Sequence, residues 1–211
     1  GLGPSPRRVI DAVADMIEDL EGRCESGHSH ELWTTAKERA ARIFGCDADE
    51  IAYTRNTTEG VNIVCNGLPL KEGDEVITTT HEHVGNTISW LARQRRDGIR
   101  MRVFEPSMAS ADETLQRLKD QITSRTRAIS VSHITTATGQ VLPLAAIGRL
   151  AAEHDLYFFV DGAQSAGHIP LDMREIGCHA YATSGHKWLL GPKGTGLLYV
   201  RRDALDLIEA K

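Results

Sequence analysis

One lysine lies in a glycine-rich segment that could make its amine reactive. Residues 183–188 read TSGHKW and residues 191–196 read GPKGTG, which places Lys187 in a mostly uncharged loop. Such surroundings remove part of the ammonium solvation, lower the pKa of the amine and make it a nucleophile suited to forming a Schiff base. The alternative is an ordinary surface lysine in a turn, and this motif alone does not separate the two.

A carboxylate closes the most apolar stretch of the chain. Asp161 follows the run LYFFV at residues 156–160. A charge at the end of a buried strand needs a cation or a metal as its partner. The Mg²⁺ of a nucleoside triphosphatase is one candidate, but the sequence lacks the GxxxxGK phosphate loop. The other candidate is the protonated ring nitrogen of a cofactor such as pyridoxal 5′-phosphate (PLP).

Two further segments could bind a phosphate and a flat ring. Residues 54–61 (TRNTTEGV) lead past the hydroxyls of Thr57 and Thr58 into a helix, whose free N–H groups suit one phosphate. The alternative is that one of these threonines only caps the helix. Residues 80–83 (THEH) place His83 as a planar group facing a ligand, with His81 as a solvated loop residue. Neither HExxH nor GxGxxG occurs, so we predict no metal ligands and no dinucleotide cofactor.

The composition is that of one globular domain. The chain has 211 residues, of which 41% are hydrophobic and 25% charged, and this excludes disorder and fibrous repeats. A net charge of −5 argues against nucleic-acid binding and membrane-surface binding, and no apolar run is long enough to span a bilayer. The four cysteines form no CxxC pair, so we expect reduced thiols and a cytoplasmic location.

The elements that position these residues alternate in type. We predict strands at residues 51–54, 75–79, 101–104, 128–131, 157–160, 180–183 and 196–200. We predict helices at residues 9–20, 32–44, 59–66, 83–95, 112–122 and 144–154. This alternation predicts an α/β fold of three layers, α/β/α, with a mainly parallel seven-stranded sheet. Ligands bind beyond the carboxyl ends of such strands, where the four features would meet as a PLP site.

With these residues the chain resembles the class V aminotransferases, which are fold-type-I PLP enzymes that include cysteine desulfurases and isopenicillin-N-epimerase-like proteins. The similarity covers residues 3 to about 201, and its most specific motif is SGHK at residues 184–187. The resemblance implies PLP as the cofactor, a homodimer, and an enzyme acting on a small amino-acid-like amine. Transamination, epimerisation and lyase chemistry all remain open, as does a non-catalytic or partial protein that retains the scaffold, with or without the cofactor.

The resemblance also implies roles for individual residues. Lys187 would form the Schiff base, Asp161 would pair with the pyridine nitrogen, and His83 would stack on the ring; these three are the predicted catalytic residues. Gln164 would bond the phenolic oxygen. The other predicted cofactor contacts, mainly to the phosphate, are Thr57, Thr58, Glu59, Ser184, His186 and Thr195.

The chain departs from the family pattern in three places. Residues 133–139 read HITTATG where many relatives carry Asn, which leaves the role of Thr136 open. Lys193 occupies the position of a desulfurase threonine, with Thr195 two residues later, and this favours the epimerase-like branch over a desulfurase. The chain stops soon after the lysine loop, so we expect a fragment without the smaller C-terminal domain.

The expected organisation is therefore a helical segment, residues 1–50, packed on a PLP-binding large domain, residues 51–211. The loop before the second helix contains His28 and His30. These two histidines either approach the substrate or belong to a solvated loop.

Overall fold

The computed structural model describes residues 3–25, 27 and 29–209. Its helices are α1 (Arg7–Arg23), α2 (His30–Phe44), α3 (Thr57–Gly67), α4 (Val84–Asp97), α5 (Ala111–Lys119), α6 (Leu144–Glu153) and α7 (Met173–Ile176). Its strands are β1 (Ile51–Thr54), β2 (Glu75–Thr79), β3 (Arg100–Phe104), β4 (Thr126–Ser132), β5 (Tyr157–Asp161), β6 (Ala180–Ser184) and β7 (Gly196–Val200). All seven predicted strands are present. The four-residue α7 was not predicted, because one helical turn has no sequence periodicity.

The strands form one sheet in the order β1-β7-β6-β5-β4-β2-β3. Strand β7 runs antiparallel to both of its neighbours, and the other neighbouring pairs are parallel. Strands β5 and β6 lie in the middle and are buried along their whole length. The apolar run of β5 fits this position, because a central parallel strand is covered on both faces. The predicted mainly parallel sheet is confirmed.

Two apolar layers cover the two faces of the sheet. Successive residues of β5 point to opposite faces, so Phe158 packs in one layer and Phe159 in the other. The first layer includes side chains of α2, α5 and α6, and the second includes side chains of α3 and α4. The predicted three-layer arrangement is therefore confirmed, and it leaves the ends of the strands between the helix layers open for a site.

The two N-terminal helices differ in how they are supported. Helix α2 buries Ala40, Ala41 and Phe44 in the core. Helix α1 has no buried residue, although packing of both helices on the large domain was expected. No helix in the described part of the chain is both long and apolar enough to cross a membrane.

Candidate active site

Asp161 ends β5 as a buried carboxylate with spare hydrogen-bonding capacity. The side chain is 4% exposed, and its Oδ1 accepts one hydrogen bond, from the backbone N–H of Ala163 at 3.0 Å. Its other oxygen has no hydrogen-bond partner among the described residues. Burial raises the pKa of this carboxyl, while the positive charge of Lys187 acts in the opposite direction. Asp161 thus has one oxygen that can meet a cation.

Lys187 follows β6 in the glycine-rich loop and faces the same region. Its ammonium is partly buried, and within residues 3–25, 27 and 29–209 it has no ion pair or hydrogen bond. Burial lowers the pKa of this amine, and only the negative charge of Asp161 opposes the shift. The structure therefore combines a partly desolvated amine with a carboxylate that has one oxygen without a hydrogen-bond partner among the described residues.

His83 belongs to the same electrostatic group. Its Nδ1 accepts a hydrogen bond from the backbone N–H of Gly85 at 3.0 Å and thereby caps α4. Burial lowers the pKa of the imidazole, and the charge of Lys187 lowers it further. An imidazole whose Nδ1 accepts this hydrogen bond is the neutral form with its proton on Nε2. The cap fixes the ring beside the lysine.

The first turn of α3 lies against the end of β6. The backbone N–H of Thr57 donates to Ser184 Oγ at 3.0 Å, and the two hydroxyls share a hydrogen bond of 2.7 Å. A Cβ placed on Gly85 would lie 2.5 Å from Thr58 Oγ1, so the N-termini of α3 and α4 converge here. Two helix N-termini and three hydroxyls together suit an anion.

The helix cap predicted as an alternative for Thr57 or Thr58 belongs to another residue. Asn56 Oδ1 accepts the backbone N–H of Glu59 at 2.9 Å. The Glu59 carboxylate pairs with Arg55 at 2.7 Å and accepts the Arg55 backbone N–H. The backbone N–H and the carboxylate of Glu59 are thus both engaged by neighbouring residues.

His186 and Thr195 stabilise the lysine loop itself. Thr195 Oγ1 donates to the carbonyl of Pro192 at 2.6 Å, and the Thr195 carbonyl accepts the N–H of Gly185 at 2.8 Å. The same carbonyl lies 3.2 Å from His186 Nδ1. These bonds hold the ends of the loop together and thereby restrict the position of Lys187.

Gln164 is held by a residue that the sequence analysis did not single out. Trp188 Nε1 donates to Gln164 Oε1 at 2.9 Å. The bond joins the turn after β5 to the loop after β6. Its position next to Lys187 was the only sequence signal for Trp188.

Glu82 is a second residue that sequence reasoning missed. This partly buried carboxylate accepts hydrogen bonds from Thr79, Asn86 and both the N–H and the hydroxyl of Ser132, at 2.6–3.1 Å. Burial raises the pKa of Glu82, whereas its side-chain donors lower it. Its place directly before His83 was a usable signal. The network fixes the segment that presents the imidazole.

The remaining residues that the sequence analysis named, four histidines and Thr136, lie in different environments where the structure describes them. His133 is buried with a pKa lowered to about 4 by burial, and its Nδ1 lies 3.1 Å from the hydroxyl of Tyr181. Thr136 and His30 are exposed, and His81 is partly buried rather than solvated. His28 lies outside the described residues.

The fold and this site define a class of proteins, in which a buried carboxylate and a lysine lie at the carboxyl ends of two neighbouring central strands of a mainly parallel sheet. The family model described as aminotransferase class-V matches residues 3–210. The chain belongs to this family of PLP-dependent enzymes.

Similar proteins with curated names include desulfurases and an epimerase. A probable cysteine desulfurase of Methanothermobacter thermautotrophicus is 35% identical, over 98% of this chain and 52% of its own length. An isopenicillin N epimerase of Amycolatopsis lactamdurans is 33% identical, over 95% of this chain and 52% of its own length. The expected preference for the epimerase branch is not supported, because desulfurases match at comparable identity. The chain spans about half the length of the curated relatives it matches.

Solved structures show the same fold. The cystine C–S lyase C-DES, in complex with cysteine persulfide, matches with a TM-score of 0.90 at 33% identity, over 100% of this chain and 58% of that protein. A mutant of C-DES with glycine covalently linked to its PLP cofactor matches with the same TM-score at 32% identity. This match covers 100% of this chain and 57% of that protein.

Proposed function

We propose that this chain binds PLP through Lys187 and forms the cofactor-binding part of an enzyme that acts on a small amino acid. The observation that carries the proposal is the pairing of Asp161, whose second oxygen has no partner in the described structure, with the partly desolvated amine of Lys187. A protonated pyridine nitrogen would satisfy the carboxylate, and an aldehyde would react with the amine. The donor set therefore fits PLP.

The other residues would hold the remaining parts of the cofactor. Ser184, Thr57 and Thr58 would bind the phosphate at the converging N-termini of α3 and α4. Gln164 would donate an amide N–H to the phenolic oxygen, and the flat face of His83 would cover the ring. We assign His186 and Thr195 a supporting role and give Glu59 no contact through its carboxylate, since that group is paired with Arg55.

The chemistry follows from the placement of these side chains. PLP, when bound, stabilises negative charge at the Cα of an attached amino acid. Asp161 would hold the proton at the pyridine nitrogen and thereby favour this charge. The Lys187 amine, with its lowered pKa, is suited to remove or return a proton at Cα. His83, whose Nδ1 accepts a hydrogen bond as in a neutral imidazole, would cover the ring without adding positive charge beside the lysine.

Among the open reactions we favour lyase chemistry on a sulfur-containing amino acid. The support is that relatives named cysteine desulfurase and the cystine C–S lyase C-DES share the fold at 32–35% identity. Epimerisation is the second candidate, supported by the 33% identical isopenicillin N epimerase.

We also propose a cytoplasmic homodimer, with residues 51–211 as the PLP-binding unit. The four cysteines are free, which fits a reducing compartment. Helix α1 exposes Ile10, Val13, Met16 and Ile17, an apolar face that a second subunit would cover. Sedimentation of the chain with and without PLP tests the dimer.

Covalent trapping tests the cofactor assignment. The chain is incubated with PLP, reduced with borohydride and mapped by peptide mass spectrometry. We expect a new near-visible absorption band and a pyridoxyl group on Lys187, both lost in Lys187→Ala. Lys193→Ala is the matched control, because this exposed lysine lies in the same loop. A pyridoxyl group on another lysine, or none on the folded chain, would contradict the proposal.

A further inference from the structure

Three contacts around Trp188 join the turn after β5 to the lysine loop. Its indole N–H donates to Gln164 Oε1 at 2.9 Å. The ring of His168 stacks on the indole, with 4.0 Å between ring centroids and 12° between planes. Gly167, at φ 83°, leaves room for this approach, since a Cβ there would lie 2.7 Å from the Trp188 backbone. Because Trp188 remains 41% exposed, burial alone does not fix its orientation.

The chemistry of the indole determines how the Gln164 carboxamide is turned. An indole N–H is only a donor, so the carbonyl end of the amide must face Trp188. The NH₂ end then points the other way, and it has no acceptor within the described part of the chain. The backbone of Gln164 is held as well, because its carbonyl lies 3.1 Å from His168 Nδ1.

We infer that Trp188 is a positioning residue, which holds the Gln164 carboxamide with its N–H groups turned into the site. The inference rests on the proposed function for the identity of the acceptor, the phenolic oxygen of PLP. Without the indole N–H, the carboxamide can rotate and present its carbonyl, which would repel that oxygen. Trp188 therefore acts through Gln164 and need not touch the cofactor.

The pH titration of the PLP absorption band measures this effect. A donor to the phenolic oxygen stabilises the deprotonated cofactor, so losing it shifts the titration midpoint to higher pH, by about one unit. We expect this shift in both Trp188→Phe and Gln164→Leu, and no additional shift in the double variant. Trp33→Phe is the matched control, since Trp33 lies on α2 and contacts Tyr53 instead. A midpoint in Trp188→Phe equal to that of Trp33→Phe, or additive shifts, would overturn the inference.

A second measurement needs no cofactor and leaves Trp188 intact. In the ¹⁵N-labelled chain, we expect the indole N–H of Trp188, identified by its loss in Trp188→Phe, to exchange with solvent several-fold faster in Gln164→Leu than in wild type. Unchanged exchange would overturn the inference while leaving the proposed function in place. Conversely, a wild-type chain that forms no PLP adduct would overturn the proposed function, and the indole exchange would still decide whether the bond exists.

Discussion

At the amino ends of the strands, the buried carboxylate of Glu75 accepts a hydrogen bond from Thr123 Oγ1 at 2.6 Å and lies 3.8 Å from Arg102. At the carboxyl ends, the equally buried carboxylate of Asp161 accepts one backbone N–H and lies near a lysine without direct contact. Both carboxylates are buried away from water, but Glu75 has a side-chain donor and a nearby guanidinium within the chain, whereas Asp161 has one backbone N–H. The comparison indicates that the amino ends are built for stability and the carboxyl ends for a ligand.

Glu82 shows that position at the carboxyl ends is not sufficient by itself. Its carboxylate lies near Asp161, yet four donors from the chain surround it. The Glu82 carboxylate, like that of Glu75, thus has hydrogen-bond donors within the chain. It supports the site by fixing the segment before His83. Spare hydrogen-bonding capacity, and not location, distinguishes Asp161.

The largest expected effect comes from Asp161→Asn. Removing the partner of the pyridine nitrogen should weaken PLP binding at least about 100-fold, measured by absorbance titration. Burial raises the pKa of Asp161, so the folded state holds its proton more tightly than the unfolded state, and the carboxylate costs stability as pH rises above 3.8. The same variant without PLP should therefore melt a few degrees higher at neutral pH. A melting temperature below that of wild type would contradict the view that the Asp161 carboxylate is kept for a ligand at a cost in stability.

Glu75→Gln, at the amino ends of the strands, should lower stability and leave PLP affinity unchanged. It removes the charge from the hydrogen bond with Thr123 and the attraction to Arg102, which costs about 1–3 kcal/mol of unfolding free energy. For a chain of this size, that lowers the melting temperature by about 2–4 °C per kcal/mol. PLP affinity should stay at the wild-type value. A loss of affinity with unchanged stability would show that Glu75 serves the site.

Ser184→Ala removes the hydroxyl that contacts Thr57. We expect an approximately 10-fold loss of PLP affinity, because a phosphate donor is lost and the Thr57 hydroxyl loses its partner. Ser110→Ala is the matched control, since Ser110 caps α5 by accepting the N–H of Glu113 at 3.0 Å. That control should lower stability by about 1 kcal/mol and leave PLP affinity unchanged. Equal affinities in the two variants would exclude Ser184 from the phosphate site.

The smallest effect is the pH dependence of trapping at Lys187. Only the neutral amine attacks, and burial lowers the pKa of this amine below 10.5. The rate of borohydride-trapped adduct formation should therefore fall with decreasing pH, with a midpoint below 10.5. Trapping rates over a pH series provide the measurement. A midpoint at or above 10.5 would mean that the loop leaves the amine fully solvated.

Much of the fold followed from local patterns, while parts of the site did not. The strand runs and the alternation with helices are sequence signals, and all seven strands lie where the pattern predicts them. The alternative in which Thr57 or Thr58 caps α3 was wrong, since Asn56 makes the cap, because hydroxyl and amide caps compete over one or two positions. The four donors around Glu82 come from three separate elements, which no local pattern brings together.

The sequence by itself determined the sheet, its mainly parallel direction and the polar residues that follow its strands, because hydrophobic periodicity is a local property of the chain. The tertiary structure decided which of those polar residues find hydrogen-bond partners within the chain and which keep an oxygen or N–H group free for a ligand. Thr57 meets Ser184 across 127 positions, and Trp188 meets Gln164 across 24. Hydrogen bonds over such separations depend on how the strands are ordered and how the helices pack, and this is why only the fold separates Glu75 from Asp161.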